Sequence, residues 1–125
     1  MSDAPSKRGR VLVVDDDDAC CSALRMLLRG EGFDVDTATS GEAALARIAE
    51  CPPDVLLSDI RMPGMDGLAL LRATRVGNDF PVILMSADGK TEAEVLAAGA
   101  VGYVGKPLDI DDVIRALDRA LAPPG

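Results

Sequence analysis

Four separate stretches of this chain each end a short apolar run on groups that can handle metal or phosphate. Val55 to Leu57 leads through Ser58 into Asp59, and Val11 to Val14 leads into Asp15-Asp16-Asp17-Asp18. Pro81 to Met85 leads into Ser86-Ala87-Asp88, and Ala100 to Val104 into Gly105-Lys106-Pro107. If three carboxylates gathered, each pair ~4 Å apart would repel by about 4 kcal/mol at an effective dielectric near 20. A proton or a cation would then have to sit among them. Oxygen donors without histidine or thiolate favour a hard cation. Few carboxylates with room for water suit Mg²⁺ better than a dedicated Ca²⁺ cage, and no EF-hand loop is present. A cation beside one carboxylate, with the Lys106 ammonium and the Ser86 hydroxyl opposite, also suits a phosphoryl group. Asp59 would then be placed to attack phosphorus in line and form an acyl phosphate. Taken singly, each group has a plainer reading. Asp59 could cap a loop or helix, and Lys106 could be a solvated surface cation or one half of a simple salt bridge.

Whether these groups meet depends on the elements that carry them. The apolar runs are short and partly β-branched, which fits buried strands better than helices. Pro63, Gly64 and Gly67 break regular structure just after Asp59, so Asp59 should stand at the C-terminal mouth of a central strand. In open parallel sheets ligands bind at that edge. The segments between the strands carry helix signals. Asp17 or Asp18 can cap a helix through Arg29 with Ala23, Leu24, Leu27 and Leu28 on one face, and Gly30 and Gly32 mark its end. Phe33 to Ala38 alternates apolar and polar, as in a half-exposed or edge-side strand. Ser40 can cap a helix to about Glu50 with Ala44, Leu45 and Ile48 inward. Asp66 can cap one from Gly67 to about Arg75. Thr91-x-x-Glu94 matches a capping box for a short helix ended by Gly99. Asp109 can cap the last helix, whose apolar stripe is Ile110, Val113, Ile114, Leu117 and Leu121. Strand and helix thus alternate five times with short connections. That order predicts a parallel sheet with helices on both faces and all strand C-termini on one edge.

Bulk properties narrow the function classes. A length of 125 residues suits one domain, and 48% hydrophobic content argues against disorder. No apolar run approaches the ~20 residues of a membrane span, and Val11 to Val14 is too short for a signal-peptide core. The expectation is a cytoplasmic protein. Three cysteines without a C-x-x-C pair suggest neither a disulfide framework nor a thiolate zinc site, and Cys20 and Cys21 read as packing residues. The complete lack of histidine excludes Ser-His-Asp and Cys-His catalysis and any phosphohistidine carrier role. A net charge of −8 argues against nucleic-acid binding by this domain.

Taken together, Val13-Val14-Asp15-Asp16-Asp17, Leu57-Ser58-Asp59-Ile60-Arg61-Met62-Pro63-Gly64-Met65-Asp66-Gly67, Met85-Ser86-Ala87 and Tyr103-Val104-Gly105-Lys106-Pro107 resemble the receiver domain of two-component response regulators. The central stretch is most similar to receivers of the nitrogen-regulation type. The resemblance implies the flavodoxin-like (βα)5 fold, with strand order 2-1-3-4-5. Residues 10–121 would be the receiver, 1–9 a flexible tail, and 122–125 a tail or the start of a linker. It implies Asp59 as phosphoacceptor, Asp15 and Asp16 as the acidic pair for Mg²⁺ (Mn²⁺ as a substitute), and the Arg61 backbone carbonyl as a further metal donor. Ser86, Ala87 and Lys106 match phosphate-binding positions, with Ser86 and Tyr103 as switch residues. The Lys106-Pro107 bond matches one commonly cis in the family. Implied partners are a histidine kinase or histidine phosphotransfer protein, and an effector reading the face of helix four, strand five and helix five. The implied role is a phosphoacceptor signalling domain that assists its own phosphorylation and dephosphorylation, rather than a turnover enzyme.

Three features depart from that pattern or sit at its variable positions. Gly105 precedes Lys106 where an apolar residue is common, which predicts a less tightly packed last strand there. Arg61 and Asp88 carry opposite charges that could pair across the site entrance. The helix after Thr91 is short and alanine-rich, suited to moving. Two other readings compete. A phosphatase with an aspartyl-phosphate intermediate usually needs a second acid two residues after its nucleophile, where Arg61 stands. A phosphorylation-independent docking module would not need the complete acidic, hydroxyl and lysine set.

Overall fold

The apolar runs supply the central strands because each has both faces to bury, and a parallel sheet covered on two sides does that. The computed structural model describes residues 8–87 and 92–122. Asp88, Thr91 and the tail residues 1–7 and 123–125 lie outside the described residues. In chain order the elements are β1 (Arg10–Val14), α1 (Asp18–Gly30), β2 (Asp34–Ala38), α2 (Gly41–Glu50), β3 (Val55–Asp59), α3 (Gly67–Thr74), β4 (Val82–Ser86), α4 (Glu92–Ala97), β5 (Gly102–Gly105) and α5 (Ile110–Leu121). The sheet is parallel in the order β2-β1-β3-β4-β5. This is the flavodoxin-like architecture. β2, whose alternating pattern pointed to an edge, is an edge strand.

Strand periodicity divides the core. Along β1, Val11 and Val13 face one way, packing with Cys21, Leu24 and Leu28 of α1 and Val113 and Leu117 of α5. Leu12 and Val14 face the other way, toward Ala44 and Ile48 of α2, Leu70 and Leu71 of α3 and Val95 of α4. β3 is buried along its whole length. Every expected cap inside the described residues forms. Asp17 accepts from Ala19 N–H at 3.0 Å, Ser40 from Ala43 at 3.0 Å, Asp66 from Ala69 at 2.8 Å and Asp109 from Asp111 at 2.9 Å.

One expectation is corrected. Ala23 and Leu27 belong to the outer side of α1, Leu27 being 48% exposed; the buried stripe runs Cys21, Leu24, Leu28. The i, i+3, i+4 spacing allowed either stripe, and the sheet selected the one that Cys21 completes. Arg8 and Gly9, which precede β1, make contacts with the domain. Arg8 donates to the Asp118 carboxylate at 2.6 Å and to the Glu31 carbonyl at 3.2 Å, and its guanidinium lies 4.7 Å from the Phe33 ring centroid. Asp34 N–H donates to the Gly9 carbonyl at 2.9 Å.

Candidate functional site

The common direction of the strands sends their C-terminal ends to one edge, and the register decides which groups stand side by side. β1 and β3 are neighbours, with Val14 beside Ser58, so Asp15 and Asp59 emerge from adjacent strands. On the other side of β3, Asp59 pairs with Met85, which places Ser86 at the next position of β4. Ser86 in turn pairs with Gly105 of β5, directly before Lys106. Carboxylate oxygens of Asp15, Asp16 and Asp59 lie within 4.8 Å of one another. Asp15 and Asp59 are buried, while Asp16 is exposed. This set of hard oxygen donors, one open to solvent, fits a divalent cation that retains water.

Lys106 closes the cluster. Its ammonium donates to Asp15 Oδ2 at 2.8 Å and to Asp59 Oδ2 at 3.3 Å. Its side chain is 22% exposed, so the surface-cation reading does not hold. Asp15 receives a further donor, the Asp17 N–H at 2.9 Å, and the nearby Cys20 thiol also favours its charged form. Burial alone would raise the Asp15 pKa, but Lys106 and these neighbours outweigh it and hold the carboxyl below its usual value. Asp59 goes the other way. Burial pushes it up, the more distant Lys106 only partly opposes that, and the Asp15 charge adds to the rise. Arg61 N–H reaches Asp59 Oδ1 only at 3.3 Å. Burial would lower Lys106, yet its bond to Asp15 and the two carboxylate charges hold the ammonium above the ordinary lysine value. The result is one firmly ionised carboxylate, one less comfortable carboxylate, and a firmly protonated lysine between them.

The remaining residues named from sequence take definite places. Ser86 is buried at the end of β4, Ala87 is exposed just beyond it, and Arg61 is exposed. The Lys106-Pro107 bond is cis. Tyr103 is half-buried against the core on the α4 side of the sheet, and its hydroxyl donates to the Ser86 carbonyl at 3.4 Å. The same carbonyl accepts the Lys106 main-chain N–H at 2.9 Å, so Tyr103 and Lys106 share Ser86 as their acceptor. A Cβ at Gly105 would meet nothing within 4 Å, so no apolar neighbour awaits a side chain there.

Sequence reasoning missed two contributors. Cys20, read as a packing residue, also neighbours Asp15; burial and then that carboxylate push its thiol up to about 12. Burial and the nearby Asp15 charge raise Cys21 to about 11, so both thiols stay protonated. The second is Gly67, the first residue of α3. A Cβ there would fall 2.3 Å from the Asp59 carbonyl oxygen and 2.8 Å from the Ile60 Cα. Only glycine lets α3 start against the backbone of Asp59, an approach sealed by the 2.8 Å bond from Gly67 N–H to the Ile60 carbonyl. Gly67→Ala is expected to cost about 1–3 kcal/mol through overpacking against rigid backbone. Urea denaturation measures this, and wild-type stability would show that the loop yields freely.

A doubly wound sheet of this order, with three acids and a lysine at its C-terminal edge, defines the receiver class. The chain belongs to the response regulator receiver domain family, whose model matches residues 11–118. It is a receiver domain of two-component signalling. The DNA-binding transcriptional regulator NtrC of Salmonella typhimurium is 45% identical over 119 residues, covering 93% of this chain and 25% of that protein. The transcriptional regulatory protein ZraR of Escherichia coli is 44% identical over 115 residues, covering 90% and 26%. The chain therefore spans about a quarter of the length of these relatives. Among solved structures, a Francisella response regulator receiver domain superposes with TM-score 0.85 at 33% identity, covering 90% of this chain and 96% of that one. NtrX from Brucella abortus gives TM-score 0.84 at 32% identity, covering 92% and 27%. These relatives agree with the nitrogen-regulation resemblance of the central stretch. Among the described residues no helix is long and apolar enough to cross a membrane.

Proposed function

We propose that Asp59 is the phosphoacceptor of this receiver and that Lys106, Ser86 and Ala87 bind the phosphoryl group it receives. The observation that carries this is the grouping of Asp15, Asp16 and Asp59 within 4.8 Å, with the Lys106 ammonium bonded to two of them. Asp15, Asp16, Asp59 and the Arg61 carbonyl would hold Mg²⁺, or Mn²⁺ in its place. When bound, the cation supplies positive charge to offset phosphoryl oxygens that the carboxylates would otherwise repel. An Asp59 carboxylate oxygen attacks the phosphorus of a phosphohistidine on a histidine kinase or phosphotransfer protein. The P–O bond forms as the P–N bond breaks, and the imidazole leaves. Lys106 is suited to follow the charge, because it stays protonated and already bridges Asp15 and Asp59.

The phosphoryl group carries a charge of about −2 and draws Ser86 and Lys106 toward it. Tyr103 holds the Ser86 main-chain carbonyl, which also accepts the Lys106 main-chain N–H, so a shift of these two residues changes what holds Tyr103 and reshapes the face of α4, β5 and α5 for an effector. The chain acts as a switch that assists its own phosphorylation and dephosphorylation, in the cytoplasm. Incubation with acetyl phosphate and Mg²⁺ tests the reading by intact mass. The expected result is a single added phosphoryl group, lost in chelator and absent in Asp59→Asn. Equal labelling of that variant would overturn the assignment.

A further inference from the structure

Gly41 opens α2 and is buried, yet it is not among the positive-φ glycines Gly9, Gly32, Gly64, Gly77 and Gly99. Backbone freedom does not explain a glycine there, and glycine is a poor helix former. Space does explain it. A Cβ on Gly41 would lie 2.8 Å from both Cβ and Cγ of Met65 and 2.9 Å from its Sδ. Met65 Cβ is fixed to its own main chain, so a side-chain rotation cannot clear that overlap and the backbone must move. The next residue of α2 lies beside the same segment, since Glu42 Oε2 is 3.6 Å from where a Gly64 Cβ would stand. The first turn of α2 is therefore a seat for Gly64 and Met65. These residues form the far half of the loop from β3 to α3. Its near half is Arg61, whose N–H bonds Asp59, followed by the buried Met62.

We propose that Gly41 is a positioning residue for the site. The Cβ it lacks lets Met65 seat on α2, and the seated loop holds the Arg61 carbonyl beside Asp59. The inference rests on the assignment of Asp59 and the Arg61 carbonyl as metal donors made above. It gives α2, which contributes no side chain to the acidic cluster, control over the strength of cation binding. Groups that orient metal ligands from outside the coordination shell commonly change affinity when altered.

MgCl₂ titration of the full chain, followed by calorimetry, tests this with three variants. Gly41→Ala lifts the loop from its seat and is expected to weaken Mg²⁺ binding roughly tenfold. Met65→Ala leaves the seat partly empty and should weaken it by a smaller factor. Gly30→Ala, where an added Cβ meets nothing within 4 Å, should bind as wild type does. Wild-type Mg²⁺ affinity in both Gly41→Ala and Met65→Ala overturns the proposal, even if their melting temperatures fall. If Gly41→Ala does not fold, unchanged affinity in Met65→Ala alone overturns it. Failure of the wild-type chain to bind Mg²⁺ overturns the metal assignment itself and this proposal with it, whereas wild-type binding with unchanged variants overturns this proposal only.

Discussion

Lys106→Met is expected to destabilise the metal-free protein by about 3 kcal/mol, because it strands buried carboxylates without their cation. Asp15 is almost wholly buried and takes its shortest charged hydrogen bond from this lysine. Methionine keeps much of the stem's packing but supplies no donor and no charge. The pKa shifts set the pH window. The folded value of Lys106 is raised, so its contribution is complete below the ordinary lysine value and disappears as pH rises through the folded value. Asp15 is lowered, so its contribution holds above the ordinary carboxylate value and is lost as pH falls through the folded one. The deficit of Lys106→Met should therefore be largest at neutral pH and shrink in acid. Added Mg²⁺ should restore part of it by returning positive charge to the cluster. Urea denaturation across pH measures all three effects, and a variant as stable as wild type at neutral pH would contradict the pairing.

Asp59→Asn is expected to act in the opposite direction, raising the stability of the metal-free protein by about 1–3 kcal/mol. Asp59 is the carboxylate that gains least from Lys106, and its pKa is raised by burial and by Asp15. Below the unfolded carboxylate value Asp59 is protonated in both states and costs nothing. As pH rises past that value the unfolded chain ionises first, and the penalty grows until the folded carboxyl ionises too. The advantage of Asp59→Asn should thus appear above the ordinary carboxylate range, persist at neutral pH and vanish in acid. Thermal melts in chelator check this, and a lower melting temperature for the variant would contradict the crowded-charge account. The same substitution removes the proposed nucleophile. A residue that costs stability and is kept at the mouth of the central strand is consistent with a chemical role.

The site was legible in the sequence wherever a chemical group closes a strand. Asp15, Asp59, Ser86 and Lys106 each follow an apolar run, and a parallel sheet sends such ends to one edge. The alternation of elements also announced a parallel sheet covered on both faces. Strand order came from the resemblance, because nothing in the local pattern of Val11 to Val14 says which strands flank it. What stayed hidden depends on contacts between distant segments. The tight fit at Gly67 exists because α3 starts against the Asp59 backbone, and from sequence that glycine read as a loop breaker and a helix start. Arg8 looked like part of a basic tail because its partner Asp118 lies 110 residues away. The different fates of Asp15 and Asp59 arise from a 0.5 Å difference in their distances to one ammonium, 2.8 against 3.3 Å, together with the extra neighbours of Asp15. Spacing along the chain carries no such information.

The central claim concerns which carboxylate becomes the acyl phosphate. Borohydride reduction of the acetyl phosphate-treated, Mg²⁺-bound protein, followed by peptide mass spectrometry, reads that position directly. The expected product is homoserine at position 59, with Asp15 and Asp16 unmodified. Reduction at Asp15 or Asp16, or at no aspartate in a protein that has bound Mg²⁺, would contradict the assignment.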